Sequence, residues 1–298
     1  MAHKFKNFYA YQIDLHYQNT INGNFFDAIK WDAAIMEGLL NHINGLVPAT
    51  AKVRKYKDSW LMYLDYLDID QHYIFGRFSS AVYGTTGELV HADNLQLRPN
   101  PKQVREGETE STYFLIKKAD GLMLLQGNVR LNRPKVDEYI EYLGEPIITG
   151  NNLTFIQICT LVDDSFFDSI RQLNTINKLE VEVTRAEAIA DENEAVRALQ
   201  NDAEELCATN VKLEFAARYN RAGMIGVVDM VRKYKDQQGV TKIVVRGKLA
   251  GAEKVIKLNE SQEKYSRRVE VDTNNQPMLT SVETALKEIA NQRRSLRG

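Results

Sequence analysis

Two apolar runs that flank the turn Ala119-Asp120-Gly121 constrain the fold more than any other feature of the chain. The runs Thr112–Lys118 and Leu122–Gln126 are rich in branched and aromatic residues, which favour β-strands. An Asp-Gly step between two such runs is among the stronger short-range signals for a β-hairpin. The sequence therefore predicts a pair of adjacent antiparallel strands.

The N-terminal segment shows the period of two that is typical of a half-buried strand. Within Phe5–His16, the residues Tyr9, Tyr11, Ile13 and Leu15 alternate with more polar neighbours. They are predicted to face the core together. Two further strands are predicted later in this half of the chain, over Trp60–Leu67 and His72–Phe78.

Two helices are predicted among these strands. Ile29, Ile35, Leu39 and Ile43 have the spacing of an amphipathic helix, and Asn24 is its predicted N-cap. The second helix is predicted over Lys135–Leu143, closed by Gly144 and Pro146.

The composition changes near the turn that follows Pro146, and a boundary between two units is predicted there. Residues 1–148 are expected to form a strand-rich, acidic N-terminal domain, and residues 149–298 an α+β domain with basic hairpins and a terminal helix. Strands and helices do not alternate steadily in the second unit. This order predicts an α+β fold of two units, with mixed, largely antiparallel sheets flanked by helices. The second unit's predicted strands are Leu153–Val162, Ile176–Arg185, Val211–Arg218, Lys242–Leu249, Lys254–Leu258 and Lys264–Asp272, and its predicted helices are Ser165–Leu173, Glu192–Cys207, Gly223–Gln238 and Ser281–Arg294.

Charge is distributed unevenly along the chain. Residues 212–298 contain 18 Lys and Arg against 10 Asp and Glu, whereas residues 1–211 contain 20 against 30. A basic segment of this kind points to a phosphate-bearing or acidic partner. The alternative is that the basic tail docks on the chain's own acidic part.

The basic segment contains one strand with a regular charge pattern. Lys242, Arg246 and Lys248 are predicted to share one face of this strand with Val244, and neighbouring positions of that face lie roughly 6–7 Å apart, which is twice the strand rise. Such a row can follow a sugar-phosphate backbone without reading its sequence. The alternative is that the same cations only keep an exposed sheet face solvated. Further cations are expected to extend the surface. The predicted nucleic-acid-binding residues are Lys242, Arg246, Lys248, Lys254, Lys257, Arg267, Arg268, Arg232, Lys233 and Lys235.

Motifs of catalysis are not found. The sequence contains no phosphate-binding glycine loop, no His-Glu-x-x-His motif and no nucleophile elbow. Glu180 and Glu182 share one strand face and could hold a cation, but paired carboxylates in such a place are commonly only solvated. The prediction is a protein without catalytic activity, metal or cofactor, with a nuclease that has an irregular metal site as an alternative.

Compartment is predicted from what the chain lacks. No signal peptide is visible at the N-terminus, and no apolar run approaches the ~18 residues that a membrane span requires. The two cysteines, Cys159 and Cys207, are too far apart to suggest a disulfide framework. A cytoplasmic protein that is not itself a membrane protein is expected.

The layout resembles the RexA-like phage-exclusion proteins of abortive infection systems. The strand that contains Asn7-Phe8-Tyr9-Ala10-Tyr11 and the segment that starts at Ile243-Val244-Val245-Arg246 carry the resemblance, which lies in the order of elements across most of the chain. It implies sequence-independent binding of double-stranded DNA, a homodimer, antiphage defence, and action with a membrane-protein or phage-protein partner. The alternative function is a phage- or plasmid-encoded interaction module that inhibits a host system.

Overall fold

The computed structural model describes residues 2–21, 24–57, 59–163, 165–183, 211–218, 220, 222–235 and 240–293 of the 298-residue chain. Mixed α+β structure with antiparallel strand pairing confirms the predicted fold class. The predicted helix Glu192–Cys207 lies outside the described residues.

Nine strands form the larger sheet, and the long strand β1 pairs with four of the others. The order is β10-β1-β9-β8-β5-β4-β3, while β2 and β15 also pair with β1. The hairpin predicted around Asp120 is confirmed as β8 and β9, with Leu115 opposite Leu124. The nine strands are β1 (Ala2–Ile21), β2 (Asn24–Ile29), β3 (Arg54–Tyr56), β4 (Trp60–Ile69), β5 (Tyr73–Val82), β8 (Thr109–Lys117), β9 (Leu122–Gln126), β10 (Leu153–Thr160) and β15 (Lys264–Val271).

A smaller sheet of four strands follows β10 in the chain. Its order is β12-β11-β13-β14, and all its pairs are antiparallel. A separate two-stranded ribbon lies between β5 and β8 in sequence. The four strands are β11 (Thr175–Val183), β12 (Val211–Ala216), β13 (Val240–Leu249) and β14 (Ala252–Lys257), and the ribbon is β6 (Glu88–Val90) and β7 (Leu97–Pro99).

Helices cover both sheets. Helices α1 and α2 pack on one face of the larger sheet, and α5 packs on its other face. Helices α3 and α4 cover one face of the smaller sheet. The described helices are α1 (Ala33–Asn44), α2 (Arg133–Gly150), α3 (Ser165–Arg171), α4 (Val227–Lys235) and α5 (Leu279–Gln292).

The middle of strand β1, from Phe8 to Leu15, is buried on both faces, whereas the period of two indicates only one buried face. Tyr11, Ile13 and Leu15 face α1 and α2, as predicted. Phe8 and Ala10 on the opposite face are also buried, because α5 packs against them.

Two predicted helix limits are wrong. Asn24 begins β2, and the N-cap of α1 is Asp32, whose Oδ1 accepts a hydrogen bond from the Ala34 amide at 2.9 Å. Helix α2 runs on to Gly150 with Pro146 inside it. Its N-cap is Asn132, and its apolar face packs on the larger sheet, so tertiary packing extends the helix beyond the predicted stop at Gly144.

The sheets divide the chain differently from the predicted domains 1–148 and 149–298. The predicted boundary falls inside α2, and β10 and β15 from the second half both pair with β1. Backbone pairing with the N-terminal strand therefore draws the start and the end of the predicted C-terminal domain into the larger sheet. The smaller sheet spans only β11 to β14.

Candidate nucleic-acid interface

The predicted basic strand is β13, which lies inside the four-stranded sheet between β11 and β14. Ile243 and Val245 point towards α3 and α4 and are buried. Lys242, Arg246 and Lys248 lie on the opposite, outer face, as the alternation predicted.

Three carboxylates of neighbouring strands share this outer face. Antiparallel pairing sets Glu182 opposite Lys242, and sets Glu214 of β12 opposite Glu180 of β11. Side chains of directly opposed residues point to the same side of a sheet. The cations of β13 are therefore next to acidic groups from elsewhere in the chain.

Glu180 is the centre of the ion-pair cluster. Its carboxylate lies 2.7 Å from Lys178 Nζ, 3.2 Å from Lys212 Nζ and 3.6 Å from Arg246 Nε. The hydrogen bond from Lys178 lowers the pKa of this carboxyl to about 2, and Lys212 acts in the same direction although partial burial opposes both. Glu180 is thus a fixed negative charge beneath the cations.

This cluster reduces the positive charge that the sequence assigned to β13. Lys242 Nζ lies 3.7 Å from Glu182 Oε2, and Arg246 is held by Glu180. Lys248 forms no ion pair with the described residues. The row of three cations exists, but its members differ in how strongly the protein already compensates them.

A groove opens at the Lys248 end of the outer face. It has a volume of about 900 Å³, and Arg218, Arg246 and Lys248 line it together with Asn177 and Asn220. We call it the basic groove. Its lining also includes Lys178 and two carboxylates, Glu214 and Glu253, so cations outnumber acids in its wall. Arg218 and Lys248 have no ion pair among the described residues, which leaves both available to an anionic ligand.

A β-bulge and a glycine shape the groove. The register between β11 and β13 shifts between Ile176 and Lys178, so Asn177 is the extra residue and lines the groove. Gly247 lies opposite Ile176, and a Cβ there would lie 2.4 Å from the Thr175 carbonyl oxygen. Only glycine allows the two strands to approach this closely between Arg246 and Lys248.

The predicted cations of α4 lie on the other side of the smaller sheet. Val231 and Tyr234 of this helix pack against the inner face, so the sheet separates Arg232 and Lys233 from the outer face. Arg232 is 3.4 Å from Asp229 Oδ1. Lys235 donates to the Thr160 carbonyl oxygen at 3.2 Å. These three residues do not join the basic groove.

The remaining predicted cations are also dispersed. Lys254 lies opposite Gly247, in the inward-facing row of β14, whereas Lys257 is in the outward-facing row and pairs with Glu260 at 2.7 Å. Arg267 and Arg268 belong to β15 in the larger sheet. The structure therefore brings together Arg246 and Lys248 of the predicted set, and adds Arg218, Asn177 and Asn220.

Sequence patterns could have found part of this site. Arg218 ends a predicted strand in the basic segment, but nothing local indicates that it lines one groove with Arg246 and Lys248. Glu180 and Glu182 share one strand face, as predicted, yet their partners are lysines and an arginine. Across the described ranges, no three His, Cys, Asp or Glu side chains are grouped so that they could hold a metal.

Comparisons with known proteins give no family. The chain matches no protein-family model, and a search of curated proteins finds no significant match. The resemblance to RexA-like proteins stays a prediction. None of the described helices combines the length and the apolar character that crossing a bilayer requires.

Proposed function

We propose that this protein is a cytoplasmic, non-catalytic protein that binds double-stranded DNA through the basic groove, largely independently of sequence. The observation that carries the proposal is the convergence of Arg218, Arg246 and Lys248 on one groove of about 900 Å³. Guanidinium and ammonium groups are the side chains that bind phosphate oxygens most strongly.

The other residues of the groove support contact with a backbone. Asn177 and Asn220 can donate hydrogen bonds to phosphate or sugar oxygens. The described lining contains no aromatic ring on which an unpaired base could stack. Recognition of phosphates, which positions a duplex without reading bases, fits this composition better than single-strand binding.

The ion-pair cluster predicts how the groove would bind. A phosphate that binds Arg246 competes with the carboxylate of Glu180. Lys248 and Arg218 have no ion pair among the described residues, so a phosphate can bind them without breaking one. Binding should therefore depend on a few phosphates, and the affinity should fall with salt in proportion to their number. Removal of one cation that binds a phosphate reduces the slope of log affinity against log salt by about 0.9.

Fluorescence anisotropy with a random-sequence duplex tests the proposal. The double variant Arg246→Glu/Lys248→Glu should weaken binding by at least about tenfold at moderate salt and lower the salt slope by about 1.8. The matched control is Arg232→Glu/Lys233→Glu, which makes the same change in net charge on the opposite side of the sheet. If both double variants lose the same affinity, or if Arg246→Glu/Lys248→Glu loses none, then the basic groove is not the site of duplex binding.

The biological setting is proposed from the resemblance alone. RexA-like proteins imply antiphage defence, a homodimer, and a membrane-protein or phage-protein partner. Plating of phage on cells that carry the chain with its native gene neighbours tests this setting. Protection should disappear with Arg246→Glu/Lys248→Glu and persist with the control pair. If phages plate equally well on cells with and without the parent protein, a defence role against those phages is excluded.

A further inference from the structure

A second surface combines aromatic, amide and basic side chains at the start of β1. Phe5, Asn7 and Tyr9 alternate onto one face of the larger sheet. Pairing with β15 sets Arg268 opposite Phe5 and Lys264 opposite Tyr9, so these cations share that face. We call this set of residues the aromatic–basic face. It lies on a different sheet from the basic groove.

Phe5 is unusually exposed for a phenylalanine within a sheet. Its relative exposure is 75%, although Phe8, which points to the opposite face of the same strand, is fully buried. Val129, in the loop after β9, is 96% exposed at the same site. Exposed apolar groups that lie together and are bordered by polar groups mark interaction sites more often than isolated ones do.

A cleft of about 550 Å³ adjoins the aromatic–basic face. Phe5, Asn7 and Tyr9 form one wall. The cleft continues towards a smaller chamber of about 130 Å³, and Tyr11 and Gln262 line both. The other walls are rich in carboxamides, which can donate and accept hydrogen bonds at the edge of a planar polar ligand. These are Asn128, Asn132, Asn259 and Gln262.

Gln262 lies where the cleft and the smaller chamber meet. Burial raises the pKa of Tyr11 to about 12, and a side-chain hydrogen bond from Gln262 opposes that rise. A carboxamide carries both donors and an acceptor, which match the mixed donor and acceptor edge of a nucleobase.

The cations of this face are uncompensated. Lys264 and Arg268 make no ion pair within the part of the chain that the structure describes. Glu270, an acidic neighbour on the face, lies 3.9 Å from His3 Nε2. The surface thus presents aromatic rings, base-edge partners and free cations together, which are the three groups that unpaired nucleotides require.

We infer that the aromatic–basic face binds single-stranded nucleic acid, with a base stacked on Phe5 and another base in the amide-lined cleft beside Tyr9. Arg268 and Lys264 contact the phosphates between them. The inference does not rest on the proposed duplex groove, because the residues, the sheet and the form of nucleic acid all differ. Together the two surfaces would let the chain engage a junction between paired and unpaired strands.

Fluorescence anisotropy with a labelled oligothymidine at fixed salt tests this inference. Phe5→Ala and Arg268→Ala should each weaken binding by about tenfold, since stacking and phosphate contacts act in the same complex. Phe5→Trp should keep the parent's affinity because it retains a stacking surface. Because Phe5 is exposed, its replacement should leave the fold intact, and the thermal midpoint checks this directly.

Matched controls separate this face from general electrostatics. Ile225→Ala removes another apolar side chain with 95% exposure, and Lys55→Ala removes an exposed cation on β3, at the far edge of the same sheet. Both should bind oligothymidine like the parent. The inference is overturned if the parent does not bind oligothymidine, or if Phe5→Ala and Arg268→Ala bind as tightly as the controls. Duplex binding should be unchanged in Phe5→Ala and Arg268→Ala. If it is, the proposal of duplex binding by the basic groove stands whether or not the protein binds oligothymidine.

Discussion

Arg133 joins the two sheets through a hydrogen bond to Val240: its Nη2 donates to the Val240 carbonyl oxygen at 2.7 Å. Its Nη1 donates to the Ile158 carbonyl oxygen at 3.0 Å. Ile158 lies in β10 of the larger sheet and Val240 begins β13 of the smaller one. One buried guanidinium at the start of α2 therefore fixes the position of the strand that carries Arg246 and Lys248.

Arg133→Met should destabilise the protein because it leaves both carbonyl oxygens without their donor. The expected loss is about 2–4 kcal/mol in the free energy of unfolding, from buried acceptors that are left unpaired. Urea denaturation measures it. Arg130→Met, at an exposed position in the preceding loop, should change the midpoint little. An equal shift in both variants would contradict the role of Arg133.

Asp137 should make stability depend on pH in an unusual direction. Burial raises the pKa of its carboxyl to about 8, although the charge of Arg133 opposes this. The folded state then holds a proton that the unfolded state releases above about pH 4. The stability that this carboxyl contributes is therefore fully present below about pH 4, and it is lost as the pH rises through about 8.

Asp137→Asn should remove that dependence, because the amide oxygen can still accept the Ile158 amide hydrogen bond, which is 3.1 Å long in the parent. Urea midpoints at about pH 5 and about pH 9 measure the difference. The parent should lose more stability than the variant over this interval. Parallel curves would show that the carboxyl is ionised in the folded protein.

Glu180→Gln should strengthen duplex binding, since it removes the carboxylate that lies against Lys178, Lys212 and Arg246. An increase of several-fold in affinity is expected because a phosphate at Arg246 is then no longer repelled. Anisotropy at fixed salt measures it, and Glu283→Gln on α5 is the charge-matched control. Weaker binding in Glu180→Gln would show that Glu180 positions the cations rather than masking them.

The same substitution should alter stability in acid. The pKa of Glu180 is lowered from 4.5 to about 2, so its ion pairs contribute stability above about pH 4.5 that is lost as the pH falls towards 2. Thermal midpoints across this interval should fall less steeply in Glu180→Gln than in the parent. An unchanged slope would mean that the cluster adds nothing to stability.

Gly247→Ala should destabilise the smaller sheet and distort the basic groove. The added Cβ would lie 2.4 Å from the Thr175 carbonyl oxygen and 2.9 Å from Leu173 Cδ1, and the backbone oxygen cannot move alone. The expected cost is about 1–3 kcal/mol from overpacking. Gly38→Ala in α1, where nothing lies within 4 Å, should instead raise stability by about 0.5–1 kcal/mol. Urea denaturation of both variants distinguishes a local clash from a general glycine effect.

Local patterns predicted most elements of this fold. The alternation in Phe5–His16, the Asp-Gly hairpin and the outward row of Lys242, Arg246 and Lys248 are present in the structure. Each depends only on residues that are close in sequence. The prediction of Asn24 as a cap is wrong because a cap is recognised only by the helix that follows it, and that helix begins at Ala33.

Pairing between distant strands could not be predicted in this way. Alternation tells which face a side chain takes but not which strand lies beside it. The counter-ion Glu180 meets Arg246 only because β11 pairs with β13 across a bulge. Arg268 meets Phe5 because β15 returns to pair with β1, and the same pairing draws the end of the predicted C-terminal domain into the larger sheet.

The sequence by itself determined the α+β class, most of the longer strands and the face on which each cation of β13 lies, because these follow from local periodicity and turn chemistry. Tertiary structure decided which charges neutralise one another and which stay free. Hydrogen-bond register between remote strands sets those neighbours, and no local pattern encodes it. Arg218 and Lys248 therefore line one groove, and the register of β1 and β15 sets Phe5 opposite Arg268 on a second face.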